Sequence, residues 1–160
     1  MDFTEEQRAF ATSVADFCQR EVGTRDQRNR YTKDGTELHS RELYQKMADL
    51  GWAGIMLPET YGGSGAGNVE MCILLEEAMR GMAPIGGIGP TFITALAYNR
   101  FADDQLKKEV LTGVVNGDAL SISMSEPEAG SDSAAVQTRA TLDGDHYVLN
   151  GTKRYITNAN

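Results

Sequence analysis

The sequence predicts an α+β chain: an all-α amino-terminal domain over residues 1–116, then the start of an antiparallel β domain over 117–160. Two observations carry this. Apolar side chains recur at helical spacing as far as about residue 115, and after Gly117 the period shortens to two. A third, the dipeptide Asp143-Gly144 in "LDGDH", marks a tight hairpin between two of the alternating runs.

Each element has its own signal. In "TEEQRAFATSVADFCQREV", Phe10, Val14, Phe17 and Cys18 share one helical face, and Thr4 with Gln7 forms a capping box that satisfies the first free backbone N–H groups. Residues 23–37 are polar and read as a connecting loop. "SRELYQKMADLGW" places Leu43, Met47 and Leu50 on one face, with Ser40 as N-cap and Gly51 as the stop. From Asn68 to Met82 the chain is apolar on most sides, which predicts a helix buried against several neighbours. Two further helices follow, about 88–101 and 103–115, the second opening on the acidic pair Asp103-Asp104 that suits a helix amino end. Beyond Gly117, "DALSISMS", "AAVQTRATLDG" and "HYVLNGTKRYIT" alternate in the manner of half-buried strands. About four short strands cannot bury two faces, and the sequence stops at "ITNAN" with no closing element, so the β domain reads as unfinished.

Composition excludes several function classes. Fifteen basic against twenty-three acidic side chains give a formal charge of −8, and no Lys/Arg cluster offers the positive stripe that a phosphate backbone requires. Nucleic acid is not an expected partner. No apolar run reaches the ~20 residues of a membrane span, and "MDFTEEQRAF" lacks the basic-then-apolar pattern of an export signal, so a cytoplasmic location is expected. Cys18 and Cys72 lie far apart among apolar helical positions and read as small hydrophobes in a reducing compartment.

The more conspicuous motifs have plain structural readings. "YGGSGAGNVEM" lacks the Lys-Ser/Thr of a phosphate-binding loop, and Asn68 stands where a dinucleotide fingerprint needs glycine; it reads as a flexible connector. His39 and His146 have no second ligand at metal spacing. Met47, Met56, Met71, Met79 and Met82 read as adaptable packing. Glu76 and Glu77 point about 100° apart on a helix, so they are solvated or capping charges rather than an acid–base pair.

What remains is "SMSEPEAGSD", residues 123–132, which opens directly from the strand-like "ALSIS". Together with "YVLNGTKRYITNA" it resembles the flavin-binding middle domain of the acyl-CoA dehydrogenase family, and "LGWAGIMLPETYGGSG" resembles that family's helical amino-terminal domain. The resemblance runs from Phe3 to the last residue. Its members are longer, with a complete β-barrel-like middle domain and a carboxy-terminal helical bundle. Ser123 departs from the Gly, Ala or Cys usual at its position but is equally compact.

The resemblance implies FAD as cofactor and an acyl-CoA as substrate. It places Ser125 at the pyrimidine edge of the flavin, Thr157 near N5, and Ile122, Met124 and Tyr155 along the ring. Gly130 would permit close backbone approach, Ser131 would be shared between flavin and the CoA portion of the substrate, and Asp132 would cap the turn. The chemistry agrees, since a flavin edge of carbonyls and ring nitrogens is well served by short hydroxyls and backbone N–H groups at strand ends. The glutamate base of the family comes from the carboxy-terminal domain, so no catalytic base is expected here. Thr91, Thr94, Leu96 and Ala97 would help wall the acyl pocket. Expected partners are an electron-transferring flavoprotein or another electron acceptor, and further copies of the chain in a dimer or tetramer. Two alternatives stay open: an acyl-CoA oxidase or flavin monooxygenase on the same scaffold, and a non-catalytic partner subunit.

Overall fold

The computed structural model describes residues 2–159. It divides into two compact units, one ending at Leu120 and one beginning at Ser121.

The first unit is built from six helices: α1 (Glu5–Val22), α2 (Arg25–Thr32), α3 (Arg41–Asp49), α4 (Asn68–Arg80), α5 (Ile88–Phe101) and α6 (Asp104–Val115). The expected amino ends hold. Thr4 accepts from the Gln7 amide at 3.1 Å while the Gln7 side chain accepts from the Thr4 amide at 3.0 Å. Ser40 accepts from the Leu43 amide, and Asp103 from that of Leu106 at 2.8 Å. Gly51 ends α3 at φ +79, a conformation that glycine adopts without a Cβ penalty.

Helix α2 corrects the sequence reading of 23–37 as a loop. Its signal was present: Thr24 and Gln27 repeat the capping box of Thr4 and Gln7. Its single buried side chain, Tyr31, offers almost no apolar periodicity, so helical spacing does not mark it. Polar contacts hold it instead. The Tyr31 hydroxyl donates to Glu21 at 2.6 Å, and Lys46 Nζ donates to the same carboxylate at 2.6 Å and to the Tyr31 oxygen at 2.8 Å, tying α1, α2 and α3 together.

The main core joins Val14, Phe17 and Cys18 of α1, Leu43 and Met47 of α3, Leu74 and Ala78 of α4, and Ile85, Ile88 and Phe92. Trp52 packs edge-on against Phe10 and Phe17, with centroids 5.9 and 5.2 Å away. A smaller cluster joins Leu57, Ala95, Leu111 and Val114. Cys18 is buried but Cys72 is exposed, so only the first behaves as a hidden hydrophobe. Met79 and Met82 are likewise exposed, whereas Met47 packs as expected. Glu77 is not a solvated charge: it is largely covered and pairs with Arg80 at 3.2 Å.

The glycine-rich connector is not loose. Backbone bonds from Gly63 to Pro58, Ser64 to Gly54, Gly65 to Leu57 and Ala66 to Ile55 fold it back on the preceding turn. A Cβ on Gly63 would collide with the Leu57 carbonyl, so the close approach demands glycine.

In the second unit, β1 (Arg139–Asp143) pairs antiparallel with β2 (His146–Asn150), Asp143 opposite His146 and Arg139 opposite Asn150. The two-residue turn is Gly144-Asp145, one position later than the sequence suggested, with the positive φ on Gly144. One expected strand does not form and another is cut short. "DALSISMS" stays irregular: the Leu120 amide donates to the Thr91 hydroxyl, the Met124 carbonyl accepts from Lys153 Nζ and the Ser125 carbonyl from the Arg154 amide, so its backbone is met by scattered partners and not by a continuous strand edge. The run after Asn150 breaks where Tyr155 and Asn158 adopt φ +57 and +62, which no strand accommodates.

Candidate flavin site

The two polar motifs, far apart in sequence, meet within the second unit. Arg154 N donates to the Ser125 carbonyl at 2.9 Å, and Lys153 Nζ donates to the Met124 carbonyl at 3.0 Å. The segment carrying Ile122, Met124 and Ser125 therefore lies beside the one carrying Tyr155 and Thr157. Gly130 and Ser131 are exposed and reach this pair only through the turn between Glu126 and Ala129, closed by Glu126 N to Ala129 O at 2.9 Å. No hydrogen bond among the described residues joins Gly130 or Ser131 to Lys153, Arg154 or Tyr155.

The surface these residues present is amphipathic. Met124 is 56% exposed and Tyr155 86%, an apolar thioether and an aromatic ring left uncovered. Tyr155 is also held at φ +57, rare for a bulky residue, with the Arg154 guanidinium 5.2 Å from its ring centroid. Ser125 is half-buried and Thr157 exposed, and among the described residues neither hydroxyl has a hydrogen-bond partner. A Cβ built on Gly130 meets nothing within 4 Å. Free hydroxyls beside uncovered apolar surface suit a flat heteroaromatic ring with polar edges, so the donor set fits a flavin. Asp132 caps as expected: its Oδ1 accepts from the Ala134 amide at 3.2 Å.

Glu126 opens the turn to Ala129, and its side chain has a larger part. Its carboxylate accepts from the Gln137 amide at 2.7 Å, the Thr138 amide at 3.0 Å and Lys153 Nζ at 2.8 Å. The lysine first, then these neighbouring donors, hold its pKa down at about 2. Only pairing across 27 residues reveals this, and local pattern carries no such signal.

In the first unit, Thr91 and Thr94 are buried and point inward. Thr91 Oγ1 donates to Gly87 O at 2.9 Å and accepts from the Leu120 amide at 3.0 Å, while Thr94 Oγ1 donates to Pro90 O at 2.8 Å. Their hydroxyls are committed to the fold. Among the described residues no group of His, Cys, Asp and Glu could hold a metal ion, and no helix is long and apolar enough to cross a membrane.

Comparison with known proteins shows the family. The acyl-CoA dehydrogenase N-terminal domain matches residues 4–118, and the acyl-CoA dehydrogenase middle domain matches 121–160. A probable acyl-CoA dehydrogenase, YngJ, of Bacillus subtilis is 34% identical over 99% of this chain and 41% of its own length. The crystal structure of an acyl-CoA dehydrogenase from Geobacillus kaustophilus superposes with a TM-score of 0.83 at 29% identity, covering 98% of this chain and 40% of that one. The FAD complex of PigA superposes at 0.86 and 26% identity, covering 99% and 42%. The chain thus spans about two fifths of the length of the proteins it matches. With both domain matches in order along a helical unit followed by a β pair, the chain belongs to the acyl-CoA dehydrogenase family, whose members are FAD-binding oxidoreductases.

Proposed function

We propose that the whole protein is an FAD-dependent acyl-CoA dehydrogenase, converting an acyl-CoA thioester to the trans-2-enoyl-CoA. In this division of labour residues 1–116 are the helical domain, and 117–160 contribute flavin contacts. The observation that carries the proposal is the Arg154–Ser125 backbone bond, which sets two segments bearing unengaged hydroxyls side by side. Ser125 would hold the pyrimidine edge and Thr157 the region of N5. Ile122, Met124 and Tyr155 would cover the ring, Gly130 would admit it closely, and Ser131 would serve both cofactor and CoA. The bound flavin would supply a two-electron acceptor for hydride from the substrate.

The proton must go to a base, and Glu126 is unsuited to that role. A carboxylate held near 2 by a lysine and two amides has little basicity left, whereas an efficient base is poised near working pH. By the family resemblance, the base would be a glutamate outside these 160 residues. Electron-transferring flavoprotein is the proposed acceptor, with assembly as a dimer or tetramer in the cytoplasm. The test is purification of the full-length protein. A yellow protein, or one reconstituted by FAD, that reduces an artificial acceptor with an acyl-CoA is expected; a colourless protein that takes up no FAD would contradict the proposal. Oxygen consumption without an added acceptor would point to an oxidase on the same scaffold.

A further inference from the structure

We propose that Glu126 and Lys153 are positioning residues that lock the two flavin-contacting segments into register; this rests on the flavin assignment above. Consecutive residues on one segment engage consecutive residues on the other: Lys153 Nζ bonds Met124 O and Glu126 Oε1, and Arg154 N bonds Ser125 O. Ser125 is thereby bracketed, its neighbours on both sides held by one ammonium group. The same carboxylate takes the Gln137 and Thr138 amides, so a single side chain joins three stretches of the unit.

Burial gives this knot its weight. The Glu126 side chain is only 5% exposed and that of Lys153 23%, in a unit whose two strands are exposed throughout. Leu142, Tyr147 and Leu149 all face outward, so apolar packing does not fix the register here. A covered carboxylate with its ion-pair partner and two amides in place is well satisfied, while removal of one partner strands the other in a poorly solvated site. Tyr155 and Thr157 follow Lys153 by two and four residues, close enough for an error at Lys153 to reach them.

The experiment uses full-length protein stripped of flavin and titrated with FAD, reading the dissociation constant and the shape of the long-wavelength absorption band of bound flavin. Glu126→Gln and Lys153→Met are each expected to weaken FAD binding by at least about tenfold and to alter the band. Lys153→Arg, long enough to serve both acceptors, is expected to stay within about threefold of wild type. The reversed pair, Glu126→Lys with Lys153→Glu, should not recover, because a lysine at 126 cannot accept from the Gln137 and Thr138 amides. Should Glu126→Gln fail to fold, Lys153→Gln carries the test: it keeps a donor for Met124 O but loses the charge, and should weaken binding by several-fold. FAD affinity and band shape unchanged in Lys153→Met and Lys153→Gln would overturn the proposal, as would full recovery in the reversed pair. Wild-type protein that takes up no FAD would instead remove the flavin assignment beneath it.

Discussion

Gly151 and Gly130 separate fold from function by a methyl group each. At Gly151 an added Cβ would lie 2.7 Å from the Thr138 Cβ and 2.8 Å from its Cα, with the Thr138 hydroxyl closer still. Carbon atoms pack comfortably at about 3.5–4.0 Å, so the Thr138 backbone must retreat by roughly 1 Å, and no rotamer change relieves a contact with Cα. Overpacking of this kind costs about 1–3 kcal/mol, and the stiffer unfolded chain of Gly→Ala returns about 0.4–1, leaving a net loss of about 1.3 kcal/mol at the middle of both ranges. Because Thr138 and Gln137 supply the amides that Glu126 accepts, the loss should appear as faster hydrogen exchange at those two positions, roughly 5- to 30-fold in full-length Gly151→Ala. Gly130→Ala meets only open space and has no positive φ, so its exchange should match wild type while FAD affinity falls. Wild-type protection of Gln137 and Thr138 in Gly151→Ala would refute the steric argument, and wild-type FAD affinity in Gly130→Ala would refute the close approach assigned to that glycine.

Three further outcomes follow from the helical unit. Leu74→Ala, at a fully buried site in the main core, should destabilise that unit by about 2–5 kcal/mol, measured as a lower denaturant midpoint of its helical signal. Tyr31→Phe should cost about 1 kcal/mol, since Glu21 and Lys46 remain paired at 2.6 Å when the hydroxyl is gone, whereas Lys46→Met leaves the carboxylate with the Tyr31 hydroxyl but without its ammonium partner and should cost more. His39 accepts at Nδ1 from the Gly87 amide beside the start of α5, and burial, then the nearby Arg41 charge, lowers its pKa. With the folded pKa below the unfolded value, the unfolded chain binds the proton more readily. Its contribution is therefore complete above the ordinary histidine range and is lost as pH falls through the folded pKa. His39→Gln should flatten that part of the stability-versus-pH curve, and an unchanged slope would contradict the lowered pKa assigned to His39.

Helices with strong apolar stripes and side-chain caps were legible in the sequence, because both signals are local: Thr4, Ser40 and Asp103 each sit three residues before the amide they accept. Helix α2 was hidden because an ion-pair network, not an apolar face, holds it. Strand-like alternation after Gly117 overstated the sheet. Alternation shows which side a residue would face, but a strand also needs a partner edge, and among the described residues only the 139–143 and 146–150 segments supply one to each other. The two segments proposed to contact flavin stand out by family resemblance, yet the bonds that bring them together do not. Pairing of Lys153 with Glu126 and of Arg154 with Ser125 is set by the tertiary path of the chain, and no local pattern marks the Glu126 carboxylate as its anchor.

A crystal structure of the full-length protein with FAD bound is the most direct measurement. Ser125 Oγ and Thr157 Oγ1 should each lie within about 3.2 Å of a polar atom on the flavin ring, with the ring against Met124 and Tyr155. Density for the ring at another surface, with both hydroxyls turned to solvent, would contradict the assignment.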